Sequence, residues 1–188
     1  MMHHKETYLD IFDESGNPTG EQKSYTEVHK NGYWHKSAHV WVIDPKGFVL
    51  LQRRSPRVHT FPGMWDSSAG GHIDAGETSV FAARRELYEE MGLLFPEEKF
   101  EYIGTIIDQY EISGGGASNE FDDIFLVVIE NRDTPIYFNK DEVEGIAWID
   151  FKEFEQKIKE KDPYYIQHQA EYDILFPILH RRFGNVVN

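Results

Sequence analysis

The sequence predicts an α/β fold of the α+β kind, a mixed sheet with helices packed on it. Two observations carry this. Periodic segments run in the order strands, helix, strands, helices, which suits one sheet covered by helices. Of the 188 residues, 40% are hydrophobic and 14% aromatic, ample apolar surface for a packed core. The length is that of a single domain, so residues 1–188 are expected to form one unit.

Tyr8 to Phe12 is rich in β-formers and runs into the turn residues Asp13-Glu14-Ser15-Gly16-Asn17-Pro18, which predicts a small N-terminal hairpin. Ser37 to Ile43 and Phe48 to Gln52 read as two strands joined through Asp44-Pro45-Lys46-Gly47. Between Thr78 and Met91 the period becomes helical, with Val80, Ala83, Leu87 and Met91 on one face and Gly92 as the stop. Glu101 to Tyr110 and Phe121 to Glu130 are strands around a loop containing Gly114-Gly115-Gly116, read as a floppy hairpin loop rather than a lid, and Glu144 to Ile149 is a further strand. Asp150 is placed as the N-cap of a helix carrying Phe151, Phe154 and Ile158. A last helix covers Tyr172 to Phe183 with Ile174, Leu175, Ile178 and Leu179, and Pro177 should kink it or mark its first turn.

Charge and composition exclude several classes. Asp plus Glu number 33 against 19 Lys plus Arg, a net charge of -14 that repels duplex nucleic acid and anionic lipid. No apolar run approaches the ~18 residues of a spanning helix. Met1 to Glu6 holds no apolar stretch, so no secretory signal is expected and the cytoplasm is the expected compartment; His3 and His4 read as a frayed terminus. There is no cysteine, which removes disulfides, thiolate ligands and any cysteine nucleophile.

Glu86, Glu89 and Glu90 stand at i, i+3 and i+4 and share one helical stripe. Taken alone the triplet reads as a solvated acidic face; its surroundings reverse that reading. From Gly71 to Leu93 the chain runs GHIDAGETSVFAARRELYEEMGL. This resembles the Nudix box, Gly-x5-Glu-x7-Arg-Glu-U-x-Glu-Glu-x-Gly-U with U aliphatic, at every fixed position: Gly71, Glu77, Arg85, Glu86, Leu87, Glu89, Glu90, Gly92 and Leu93. The resemblance implies a Nudix hydrolase with an α/β/α sandwich around a mixed sheet. It implies Mg2+ or Mn2+ as cofactor, held by Glu86, Glu89 and Glu90, with the carbonyl of Gly70 as a further ligand. Glu89 would orient or deprotonate the attacking water, and Arg85 and Glu77 would pair to brace the loop. The partner is a small-molecule diphosphate, and family members often form homodimers. Such a cation neutralises phosphate charge and activates water for in-line attack at phosphorus.

Between Asp44 and Asp66 no acid occurs, while Lys46, Arg53, Arg54 and Arg57 are positive. Arg53 and Arg54 are therefore phosphate-binding candidates, the alternative being a solubilising strand edge; neighbours on a strand point to opposite faces, so only one of them can be the clamp.

A narrower resemblance spans roughly residues 8 to 150. Leu51-Gln52-Arg53-Arg54-Ser55, Thr60-Phe61-Pro62-Gly63-Met64-Trp65 and Gly70-Gly71-His72, with His29 and His35 upstream, look like the isopentenyl-diphosphate isomerase branch of the superfamily. In that branch histidines and glutamates hold a second metal, and His29, His35, His72 and Glu120 occupy comparable places; imidazole with carboxylate suits manganese or zinc, the alternative being that His29 and His35 are inherited packing or surface residues without metal. Isomerases carry a cysteine acid/base where this chain has Gly70, and a second glutamate ligand where it has Ser118. Proton transfer at an isoprene carbon needs a positioned acid and base, so the expected activity is hydrolysis of a nucleoside diphosphate derivative. The competing readings are isomerisation and a non-catalytic nucleotide-binding module. Asp122, Glu142 and Glu144 lie where an extra ligand or base can arise. His39 and His59 read as ordinary positions, and Trp34, Trp65 and Tyr33 as packing rather than base-stacking residues.

Overall fold

A computed structural model describes residues 6–112 and 115–185. His3, His4 and Gly114, read above as frayed terminus and loop, lie outside the described residues.

The N-terminal hairpin forms from β1 (Tyr8–Phe12) and β2 (Pro18–Ser24). The Asp13 carboxylate closes its turn by accepting the amides of Ser15 and Asn17, both at 2.9 Å. A helix without an apolar period follows, α1 (Tyr25–Asn31), which the sequence did not predict; Ser24 caps it and Gly32, at φ 67°, ends it. The central hairpin is β3 (Trp34–Ile43) and β4 (Phe48–Arg54), and Asp44 Oδ1 turns the chain by accepting the amides of Lys46 at 2.9 Å and Phe48 at 2.8 Å. Two short strands, β5 (Trp65–Asp66) and β6 (Ala69–His72), are too brief and glycine-rich to show alternation. The expected helix is α2 (Ser79–Met91), capped by Thr78 and stopped by Gly92 in the left-handed conformation that favours glycine.

β7 (Glu101–Glu111) agrees with expectation, whereas β8 (Ala117–Val128) begins before Phe121, which puts Ser118 and Glu120 within a strand. β9 (Val143–Asp150) leads into α3 (Phe151–Lys159), where the Asp150 carboxylate accepts the Lys152 amide as a capping residue does. The last helix, α4 (Gln169–Phe183), starts earlier than expected, so Pro177 is interior and not in the first turn; it donates no helical bond to the carbonyl of Asp173.

β3 is the hub of the sheet. It runs parallel to β8 along its whole length, from Trp34 opposite Asn119 to Ile43 opposite Val128, and antiparallel to β1, β4 and β6. The other pairings between these strands are antiparallel, so the sheet is mixed as expected. Alternation splits each central strand between two cores. Ala38, Val40, Val42, Leu50, Phe125 and Val127 pack with Ala83, Leu87 and Met91 of α2. Trp41, Ile43, Val49, Leu51, Ile124 and Leu126 pack on the opposite face with Phe151, Phe154, Leu175 and Leu179 of α3 and α4. The result is the α/β/α sandwich, each fully buried large side chain contributing roughly 1.5–3 kcal/mol of transfer free energy. The N-terminal half of β3 differs: His35, Ser37 and His39 continue the Trp41 face in polar form, next to the cleft lined by the acids of α2 rather than in it.

Candidate functional site

An open cleft of about 540 Å³ lies where α2 meets β4 and β6, lined by Glu86, Glu89, Glu90, Gln52, Arg54 and Glu142 among others. α2 delivers its three acids at graded depth. Glu90 is buried and accepts Gln52 Nε2 at 2.8 Å, the Glu86 side chain is 13% exposed, and that of Glu89 is 54% exposed. Burial and mutual repulsion hold the Glu90 carboxyl well above its usual range and raise Glu86 and Glu142 as well.

Arg85 fixes the loop ahead of the helix. Its Nε and Nη2 donate to the two oxygens of Glu77 at 3.1 and 2.9 Å, Nη2 also reaches the His72 carbonyl at 2.9 Å, and Nη1 meets Glu86 at 2.5 Å. A bidentate fork of this kind sets direction as well as distance. Glu77 in turn accepts the Asp74 amide at 3.1 Å. A Cβ on Gly71 would displace the Glu86 carboxyl from its place beside Arg85, and Gly70 lines the cleft beside it. Several oxygen donors converge here, buried enough to resist ionisation alone. A hard divalent cation would relieve that cost, so these residues fit Mg2+ or Mn2+.

The two arginine candidates separate. Arg54 lines the cleft, while three of its N–H groups brace a neighbouring loop: Nε to Thr60 O at 2.9 Å, Nη2 to Thr60 Oγ1 at 2.9 Å and Nη1 to Asp66 at 3.2 Å. Arg53 points away, donating to Gly63 O at 3.0 Å and pairing with Glu144 at 3.3 Å. Arg57 pairs with Asp141 at 2.6 Å. The stretch that is free of acid in sequence is therefore met by acids in space, and only Arg54 of the pair faces the cleft.

His29, His35, His72 and Glu120 come together, one ligand atom from each lying within 4.8 Å of all the others. His29 Nδ1 donates to Tyr25 O and His35 Nδ1 to Tyr33 O, both at 2.9 Å, which leaves each Nε2 as a lone-pair donor. Nε2 of His35 and of His72 are buried with no hydrogen-bond partner among the described residues. Glu120 Oε1 lies 3.6 Å from His35 and 3.8 Å from His72, and accepts hydroxyls of Tyr110, at 3.1 Å, and Ser118. Burial lowers His29 to about 4, keeping its imidazole neutral. Burial would raise Glu120, yet the two imidazoles beside it prevail and hold it well below its usual range. Orphaned imidazole nitrogens around an ionised carboxylate fit Mn2+ or Zn2+.

The remaining candidates distribute plainly. Glu142 lines the cleft and Glu144 does not. Asp122 is buried, accepts the Ser37 hydroxyl and is pushed by burial to about 7. Trp34 packs against Phe121 at 4.9 Å, and Trp65 and Tyr33 pack against hydrophobic clusters, as expected. Sequence reasoning missed Gln52 as the Glu90 partner, and it missed a polar set in which buried Glu171 accepts Trp41 Nε1 at 2.6 Å and His39 Nδ1 at 3.0 Å. The available signal was alternation, which puts His39 on the face of Trp41. No helix among the described residues is long and apolar enough to cross a membrane.

Comparison with known proteins gives the arrangement a context. A NUDIX domain model matches residues 33–169. The chain is 36% identical over 183 residues to Nudix hydrolase 3 of Arabidopsis thaliana, which covers 94% of this chain but only 24% of that protein's length. It is 36% identical to an uncharacterized Nudix hydrolase of Clostridium acetobutylicum over 84% of this chain and 76% of the relative. Isopentenyl-diphosphate Delta-isomerases are also among the relatives, one from Photorhabdus laumondii at 31% identity over 75% of this chain and 76% of its own. In fold, a crystal structure of a Deinococcus radiodurans protein superposes with a TM-score of 0.68 at 19% identity, covering 94% of this chain and 99% of that one.

Proposed function

The chain belongs to the NUDIX family, and from that premise we propose that it is a cytoplasmic, single-domain, metal-dependent hydrolase that cleaves a diphosphate linkage in a nucleoside diphosphate derivative by water attack at phosphorus. The observation that carries this reading is the convergence of Glu86, Glu89, Glu90 and Glu142 on one cleft, with two of them buried or nearly so and three raised by desolvation.

When bound, a divalent cation supplies charge neutralisation at the phosphates and a water of lowered pKa. The chain's own residues do the placing. Glu86 and Glu90 are held by Arg85 and Gln52 and serve as fixed ligands, with the Gly70 carbonyl beside them. Glu89, the most exposed of the three, would orient the attacking water and take its proton. Arg54 reaches the diphosphate, with two guanidinium N–H groups left after its loop contacts. His29, His35, His72 and Glu120 would hold a second ion, Mn2+ or Zn2+.

Isomerisation is the second reading, favoured by the isomerase relatives and the histidine cluster. Against it stands Gly70, which has no acid/base side chain, in a chain without cysteine. A screen of diphosphate compounds with Mg2+ and Mn2+, reading phosphate and monophosphate products, tests the hydrolase reading; incubation with isopentenyl diphosphate should yield no dimethylallyl product, and its appearance would favour the isomerase instead.

A further inference from the structure

A second, smaller cavity of about 100 Å³ opens from the acid cleft, the two sharing Arg54, Gly70, Gly71 and His72 as wall. Its far side is formed by His39, Asp108, Tyr110, His168 and Phe61. Three features of this cavity are not used by the hydrolytic site.

The first is backbone strain. Phe61 sits at φ 49°, in the left-handed region that a bulky side chain seldom occupies and that costs of order 1–3 kcal/mol. The loop is held in that shape by Arg54, through the carbonyl and the hydroxyl of Thr60. The ring is not spent on the core. It is 37% exposed at the mouth, with Tyr110 at 5.9 Å and His168 at 6.3 Å between centroids, so about a third of the residue remains open to a ligand.

The second feature is unpartnered polar atoms. His39 is fixed through Nδ1 by Glu171, itself tied to Trp41, and its Nε2 has no hydrogen bond to any described residue. The nitrogens of His168 stand 3.6 Å from Asp66 and Asp108, longer than direct hydrogen bonds. The third is a passage. A Cβ on Gly70 would stand 2.9 Å from His39 Cδ2, so the absent side chain keeps the shared wall open beside the His39 edge that lines the smaller cavity.

The space is about three waters' worth, too small for a nucleoside and large enough for the exocyclic groups of a planar ring. We propose that the nucleobase of the substrate lies on the exposed face of Phe61 at the mouth of this cavity, its polar edge directed inward to His39 Nε2 and Asp108 while the diphosphate reaches back to the acid cleft. An alkyl chain placed there would cut His39 Nε2 off from water without giving it a hydrogen-bond partner, at the cost that attends any buried polar group left unpaired. This assignment rests on the hydrolase reading for the position of the diphosphate.

The test is calorimetric titration of the full chain, with Mg2+, by the four nucleoside 5′-monophosphates, ribose 5-phosphate and n-pentyl phosphate. At least one nucleotide should bind about ten-fold more tightly than ribose 5-phosphate or pentyl phosphate, the scale of one base–aromatic stack. Phe61→Ala should abolish that margin and leave ribose 5-phosphate within two-fold, whereas Phe61→Trp, which keeps a ring, should retain it. Equal affinities in the unaltered protein, or an equal loss for all ligands in Phe61→Ala with no recovery in Phe61→Trp, would overturn the subsite. The two readings fail separately: a base-dependent margin with no diphosphate cleaved leaves the subsite and removes the hydrolase, while cleavage whose KM for nucleoside and pentyl diphosphates ignores Phe61 does the reverse.

Discussion

The acid cleft and the histidine cluster share strand β6 and the residue His72, yet they are built on opposite principles. In the cleft, three ligand candidates come from five consecutive residues of one helix, and the oxygens face an open space. The histidine cluster draws one residue from each of α1, β3, β6 and β8, and two of its nitrogens are sealed from solvent without a partner. Open oxygen ligands suit a cation that keeps its water and exchanges with substrate, while a sealed nitrogen-rich set suits an ion that stays. On the proposed reading, the chemistry belongs to the first region, and the second would retain any ion it binds.

The strongest way to break this contrast is Glu90→Gln. It preserves shape and the Gln52 neighbour but removes a buried charge, and hydrolysis at saturating Mg2+ should fall by about 10²–10³-fold, the scale seen when a charge-stabilising group is lost; an unchanged kcat would remove the cleft from the mechanism. Next is His35→Asn, with His29→Asn as a second variant because His35 is fully buried. Either should weaken Zn2+ or Mn2+ binding at least ~10–100-fold by calorimetry, the range for disturbing a metal's surroundings, while Mg2+-dependent turnover stays within about three-fold. Equal damage to both would merge the two regions into one site.

Smaller effects sharpen the same line. Arg54→Ala should raise KM about ten-fold, the value of one lost charge-assisted contact, and Arg53→Ala should leave it within about two-fold, since only Arg54 faces the cleft. If neither changes KM, phosphate is held by the metal alone. The last prediction concerns stability. His168, between Asp66 and Asp108, is raised to about 10 because those carboxylates outweigh its burial. A folded pKa above the unfolded value of about 6.5 means that its contribution is complete below pH 6.5 and is lost as pH rises toward 10. Wild type should therefore lose about 2–4 °C more in Tm between pH 7 and pH 10 than His168→Gln, taking the difference as ~1 kcal/mol. A parallel decline in both proteins would show that the group adds no pH-dependent stability.

Which parts were legible follows from the same contrast. The α2 cluster is local, so the spacing of Glu86, Glu89 and Glu90 and the stop at Gly92 are visible in the chain itself, as is the alternation of β3 and β4. The α1 helix is short and polar, and β5 and β6 are too brief to alternate, so these elements exist through tertiary pairing and not through local preference. The basic character of Lys46 to Arg57 was a property of the sequence alone; Glu144, Asp66 and Asp141 reach it only in space. His39 reads as an ordinary position in the sequence because its partner, Glu171, lies 132 residues away on the last helix.

The parallel pairing of β3 with β8 also sets an order of assembly. Ser37 and Asp122 meet across 85 residues, and the pairing must be closed before Glu120 can stand beside His35. Loop closure over that distance is slow relative to formation of a single helix. The acidic candidates of α2 should therefore come into register early, whereas the nitrogen donors should converge late in folding. An ion captured by the histidines would bind the completed topology and not its precursors, acting as a latch on the crossover: its removal should quicken unfolding while leaving the refolding rate nearly unchanged.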